Sequence, residues 1–200
     1  MDANANGRQT MKEIFRGDLV RLCAMDSDET GKAFSRWDRD SEFRRFLDSG
    51  VAHFVSSKKL KKKIEEEIAE QPLRQYPFGV RTLKDDALIG VGDLYVYNWT
   101  GRDAFVGLGF GEREFWGKGY GTDLMSLLLR YAFAEINLNR VTLNVFEYNP
   151  RAVRSYEKAG FRHEGRMRQF LNKEGKRWDM LFMGILRKEW MAHNEHRIKN

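Results

Sequence analysis

The chain has 200 residues, 42% of them hydrophobic and 13% aromatic, and a formal net charge of +6. That length suits one domain with a substantial core. Three prolines exclude long proline-rich linkers, and the single cysteine, Cys23, excludes an internal disulfide framework or a cysteine-based zinc cluster. The first ten residues are polar and lack the apolar core of a secretory signal. No apolar run approaches the ~18 residues of a membrane span, so a cytoplasmic protein with no membrane partner is expected.

Residues 19–22 read as a strand after Gly17-Asp18, and 30–39 and 41–47 read as short helices. The basic residues are spread along the chain except at Lys58, Lys59, Lys61, Lys62 and Lys63, which run into Glu65, Glu66 and Glu67. Leu60, Ile64 and Ile68 recur every four positions there, which predicts a helix with a narrow apolar stripe and Lys–Glu pairs one turn apart. No aromatic residue interleaves these lysines to stack bases, so a solvated helix face is expected and a specific nucleic-acid partner is not.

Strands are expected at 76–83 and 87–97, joined by Lys84-Asp85-Asp86, and at 104–110 after a turn at 100–103. Thr122 is expected to cap the next helix. Leu124, Leu127, Leu128 and Tyr131 form one face of it, and Met125, Leu129, Ala132, Phe133 and Ile136 a second. A helix apolar nearly all round belongs inside, packed on a sheet. A strand at 141–146, a helix at 151–159 and strands at 161–168 and 178–186 follow, with a hairpin loop at 172–176 between the last two. The expected fold is one α/β domain over residues 13–190, with flexible tails at 1–12 and 191–200. Its mixed sheet (α+β in character) carries helices on its faces.

Trp116, Gly117, Lys118, Gly119, Tyr120, Gly121 and Thr122 stand between a strand and the apolar helix. Glycines let the backbone take positive φ and approach a ligand closely. Free N–H groups at a helix start, with the positive end of its dipole, suit a phosphate. The spacing matches neither a Walker loop nor a dinucleotide fingerprint, because Gly117, Gly119 and Gly121 simply alternate. By itself the segment is equally a tight strand-to-helix turn.

Gly119-Tyr120-Gly121 opening a long apolar helix is followed by Asn139 to Val145, then by Asn149-Pro150 through Tyr156 to Ala159-Gly160-Phe161. These two stretches, in this order, resemble the signatures of the GCN5-related N-acetyltransferases (GNAT). By pattern the nearest branch contains ribosomal-protein N-terminal acetyltransferases and spermidine acetyltransferases. Its marks here include Trp37-Asp38-Arg39-Asp40 and Trp178-Asp179. The resemblance implies a single acyl-CoA N-acyltransferase domain with a central, mostly antiparallel sheet. It implies acetyl-CoA as co-substrate, no metal, and an amine acceptor that is a protein N-terminus or a small molecule, with polyamines the alternative. A homo-oligomer is a further family expectation.

The resemblance also assigns residues. Tyr156 matches the tyrosine that protonates the departing CoA thiolate after direct attack in a ternary complex, and a phenol with pKa ~10 is protonated at neutral pH. Gly109, Phe110 and Gly111 should pair with pantetheine like an added strand, and 116–122 should hold the phosphates. Lys118, Arg151 and Lys158 are basic candidates for those phosphates. Asn149 should bond the pantetheine arm, cap its helix ahead of Pro150, or do both. Phe105 departs from the spermidine enzymes, which carry a glutamate at that place. The proton acceptor stays open among Asp93, Glu112, Glu147, Glu164 and His163, with water sufficient for an acceptor amine of modest pKa. A non-catalytic acetyl-CoA-binding module is the competing reading.

Overall fold

A computed structural model describes residues 13–69 and 74–199; the expected tail at 1–12 lies outside the described residues. The chain forms seven strands: β1 (Val20–Cys23), β2 (Gln75–Thr82), β3 (Leu88–Asn98), β4 (Asp103–Phe110), β5 (Arg140–Phe146), β6 (Arg162–Lys173) and β7 (Lys176–Leu186). Between them run α1 (Ser27–Trp37), α2 (Ser41–Leu47), α3 (Ser57–Ala69), α4 (Tyr120–Arg130), α5 (Pro150–Lys158) and α6 (Arg187–Lys199). The strands form one sheet in the order β1-β2-β3-β4-β5-β7-β6. Every neighbouring pair is antiparallel except β4 and β5, which are parallel.

The β4–β5 pairing is short. Asp103, Ala104 and Phe105 pair with Arg140, Val141 and Thr142, and the ladder then ends although both strands continue. Beyond Phe105 the sheet therefore splays, and the space between the two strands is open to a ligand.

α4 lies on one face of this sheet. Leu124, Met125, Leu127, Leu128 and Leu129 are all at most 1% exposed, each contributing about 2 kcal/mol on burial. A side chain at Gly92 of β3 would meet Leu128 Cδ1 at 3.1 Å, so glycine lets the helix sit close. The opposite face carries α1 and α2, whose Ala33, Trp37 and Phe43 make a second apolar cluster. The Asp123 carboxylate, in the first turn of α4, accepts the backbone N–H groups of Asp18, Leu19 and Val20 at 3.1, 2.8 and 3.0 Å. It thereby fastens the start of β1 to α4.

Four elements differ from the sequence reading. α4 begins at Tyr120, with Gly119 as its cap at φ +93°, so Thr122 lies inside the first turn instead of capping it. The chain reversal needs a left-handed residue, which glycine supplies and threonine does not. α4 then widens into a π turn over Tyr131–Glu135. β6 extends to Lys173, past a bulge where Gln169 takes φ 55°, and Glu174-Gly175 alone make the hairpin turn to β7. Residues 191–199 are helical, where a loose tail is expected; α6 has almost no apolar stripe, which hides it from pattern reading.

Candidate active site

Where β4 and β5 part, the structure forms a cavity of about 500 Å³. Gly107, Gly109 and Phe110 line it from β4, Asn144 and Phe146 from β5, and the start of α4 and one face of α5 close its sides. Strand backbone with no partner strand carries unpaired N–H and C=O groups, which an extended ligand can satisfy.

The glycine segment opens onto this cavity. Gly117 and Gly119 take φ +74° and +93°, so neither conformation suits a residue with a Cβ. Trp116, Gly117, Gly119, Gly121 and Thr122 line the cavity, and Lys118 and Tyr120 do not. Tyr120 packs its ring against Phe115, with centroids 5.0 Å apart. The Trp116 indole N–H donates to the Phe110 carbonyl at 2.8 Å, tying the segment to the end of β4. Gly111, expected to meet pantetheine, is absent from the lining: it lies against the Trp37 indole, which a Cβ there would penetrate. Its glycine is needed for packing.

α5 supplies the other wall. Pro150 occupies its first turn, and Asn149 Oδ1 accepts the Ala152 N–H at 3.2 Å. Asn149 is thus a cap and a lining residue at once. Arg151, Arg154, Ser155 and Lys158 recur at helical spacing along the cavity side. The Arg151 guanidinium lies over the Trp116 ring, 4.2 Å from its centroid, and near Phe46 at 5.4 Å. Burial lowers the pKa of Arg151, with Glu42 opposing that shift and Arg113 adding to it.

Tyr156 is 9% exposed and lines the cavity. Burial alone pushes its phenol up to about 12, so it carries its proton throughout the neutral range.

The open question of a proton acceptor narrows sharply. Glu112 accepts from Arg36 and from the Trp37 indole. Glu147 accepts the Asp179 N–H and stands 3.7 Å from Arg166. Glu164 is bound to Arg140 at 2.7 Å through both oxygens. His163 meets Glu157 on exposed β6. Only Asp93 of the five lines the cavity.

Sequence reasoning missed Asn144, Phe46 and Ser155 as lining residues. The α5 spacing could have found Ser155, which shares a helix face with Ala152 and Tyr156. Nothing local marks Phe46, which α2 brings in from far along the chain. Among the described residues, no group of three or more His, Cys, Asp or Glu is placed to hold a metal ion. No helix there is long and apolar enough to cross a membrane.

A family model described as an acetyltransferase (GNAT) domain matches residues 19–162. The chain belongs to the GNAT acetyltransferase family. The probable N-acetyltransferase YjcK of Bacillus subtilis (strain 168) is 35% identical over 113 residues, 56% of this chain and 62% of that protein. The match thus spans less than two thirds of that relative's length. The uncharacterized N-acetyltransferase YnaD of the same organism is 27% identical over 160 residues, covering 80% of this chain and 89% of that protein. A Vibrio cholerae spermidine N-acetyltransferase, solved with CoA and spermine, shares the fold of this GNAT domain at TM-score 0.75. Its identity is 24%, with 86% of this chain and 98% of that chain covered.

Proposed function

We propose that the protein transfers the acetyl group of acetyl-CoA to a primary amine, by direct attack in a ternary complex. The observation that carries this reading is the splay of β4 from β5, with Tyr156 in the lining of the opening. In this reading the N–H groups at the start of α4, with Arg154 and Lys158, hold the phosphates of the co-substrate. Asn149 and the unpaired edge of β4 hold the pantetheine arm. Aligning the two substrates supplies much of the rate by removing a bimolecular search.

The free amine nitrogen forms a bond to the thioester carbon, the C–S bond breaks, the sulfur takes the Tyr156 proton, and the N–H proton released as the amide forms restores the phenol. A phenol pushed up to about 12 is a weak acid. A thiolate leaving into the same desolvated space also holds a proton more tightly than in water, which narrows the gap between them.

The acceptor is a protein N-terminus or a small amine, polyamines included. Lys61, Lys62 and Lys63 pair with Glu65, Glu66 and Glu67 at 3.9, 3.6 and 3.5 Å. These three lysines of the run are therefore paired within their own helix, which weakens the case that the run disfavours a cationic acceptor. The test is a panel of peptides and small amines read out by CoA release, beside calorimetric titration with acetyl-CoA. Saturable acetyl-CoA binding and turnover with one class of amine are expected. Binding without turnover on any amine would support the non-catalytic module, and absence of binding would defeat both readings.

A further inference from the structure

Asp93 sits on β3 directly opposite Gly107 of β4. A Cβ on Gly107 would lie 2.6 Å from Asp93 Oδ1, so the missing side chain leaves that oxygen room over β4. Both residues line the cavity that holds Tyr156. Gly92 faces α4, so the strand alternation turns Asp93 to the opposite face.

Next along that face, Tyr95 and Phe105 are paired across the same two strands. They are 41% and 36% exposed, and Tyr97 stands 5.1 Å from the Phe105 ring. An exposed aromatic patch beside a cavity marks a binding surface, and aromatic faces attract an ammonium.

We propose that Asp93 receives the ammonium of the acceptor and takes its proton, and that the acceptor reaches it across Tyr95 and Phe105. The role rests on the acetyltransferase reading of the site. Gln75 Nε2 donates to Asp93 Oδ2 at 3.3 Å, and that amide is its neighbour from β2. From α3 the charge acting on it is that of Glu67, and Gly107 on β4 presents none. Among the described residues no arginine or lysine neutralises it, unlike Glu112, Glu147 and Glu164. An acidic face toward an ammonium attracts it, and a carboxylate without a cationic partner is free to accept a proton.

Burial raises the Asp93 carboxyl to about 6, opposed by the Gln75 hydrogen bond and reinforced by Glu67. Above that pH it is a free base. The proton balance then closes. The ammonium gives one proton to the Asp93 carboxylate, which frees the lone pair that attacks the thioester carbon. As the C–S bond breaks the Tyr156 proton passes to sulfur, and the second N–H proton, released as the amide forms, restores the Tyr156 phenol. Asp93 then gives its proton to water.

The experiment is the pH profile of kcat/KM for the acceptor in the wild type, Asp93→Asn and Gln75→Ala, with acetyl-CoA affinity measured in each. The wild type should lose activity as pH falls through about 6. Asp93→Asn should lower kcat/KM by about 100-fold or more, with acetyl-CoA affinity within about threefold, the scatter ordinary for such comparisons. Gln75→Ala removes the bond that favours the anion and should move the acid limb upward. Tyr95→Ala and Phe105→Ala should raise the acceptor KM more than they lower kcat. Wild-type kcat/KM and an unmoved acid limb in Asp93→Asn would overturn the role. Should that variant lose acetyl-CoA binding through misfolding, an unmoved limb in Gln75→Ala overturns it instead. A wild type that turns over no amine overturns the acetyltransferase reading and this role together, an outcome distinct from an active Asp93→Asn.

Discussion

Thr122 Oγ1 and Ser155 Oγ lie 2.9 Å apart, so a hydroxyl pair joins the first turn of α4 to α5 at the edge of the cavity. Each helix carries one of the two signatures, and this bond helps set their spacing. One neutral hydrogen bond is worth about 1 kcal/mol net. Ser155→Ala is therefore expected to weaken acetyl-CoA binding by about threefold to tenfold, since 1.4 kcal/mol is tenfold. Turnover at saturating substrate should change little. Calorimetry and steady-state kinetics on the same preparation check this, and unchanged affinity would make the pair incidental to binding.

Tyr156→Phe keeps the ring that packs beside Phe161, with centroids 6.1 Å apart, and removes only the hydroxyl. Turnover should fall about 10²-fold or more, the range for a lost general acid, while acetyl-CoA affinity stays close to wild type. Because burial holds the phenol up to about 12, its titration should produce no loss of kcat anywhere in the neutral or mildly alkaline range. A loss of affinity as large as the loss of turnover would make Tyr156 a packing residue.

Much of this was legible because periodicity reports burial. The two apolar faces of α4 and the alternation of β3 and β5 follow directly from which side chains must leave water. The cap of α4 was misread because threonine is a good cap by type, whereas the backbone reversal at Gly119 decides where the helix starts. Long-range partners leave no local trace. Asp93 and Glu164 are both strand carboxylates in the sequence, and only the fold gives one an arginine and the other a cavity. Gly111 shows the same limit, since a glycine required by Trp37 reads no differently from one required by a ligand.

Gly111 and Gly117 should respond differently to alanine. At Gly111 a Cβ would penetrate the Trp37 indole, which is 2% exposed and fixed among Phe34 and Phe43. Overpacking of this kind costs about 1–3 kcal/mol or more. At Gly117 nothing lies within 4 Å of a Cβ, and the cost is the left-handed backbone at φ +74°, about 1–2 kcal/mol. Gly111→Ala should therefore be the more destabilising in urea unfolding. Gly117→Ala should act chiefly on acetyl-CoA affinity, by strain in the segment that meets it.

Asp123→Ala removes an acceptor shared by the N–H groups of Asp18, Leu19 and Val20. Hydrogen bonds to a charged group contribute about 1.5–3 kcal/mol, so a loss of about 2–4 kcal/mol is expected. A Cβ on Gly17 would lie 2.5 Å from the same carboxylate, so Gly17→Ala should weaken the same anchorage. Amide exchange localised to residues 17–23 would confirm that β1 is what loosens; uniform loosening would place the effect elsewhere.

Asp93 is also expected to weaken the fold that holds it. Its carboxyl is raised by burial from an ordinary 3.8 to about 6, so the folded chain binds that proton more tightly than the unfolded chain. Stability therefore rises as pH falls through about 6 toward 4, and is lowest, for this group, above about 6. About two units at ~1.4 kcal/mol each give a cost of up to about 3 kcal/mol at neutral pH. Asp93→Asn should accordingly be more stable than the wild type at pH ~7.5, with the difference shrinking as acid protonates the native carboxyl. Each kcal/mol is worth about 2–4 °C in Tm for a domain of this size. Thermal unfolding of both proteins across that pH range checks the sign and size together. A variant that is stabilised while its turnover collapses would mark Asp93 as a group kept for chemistry at the expense of the fold. Equal stability at all pH values would mean the carboxylate is solvated in place, and the case for its raised pKa would fail.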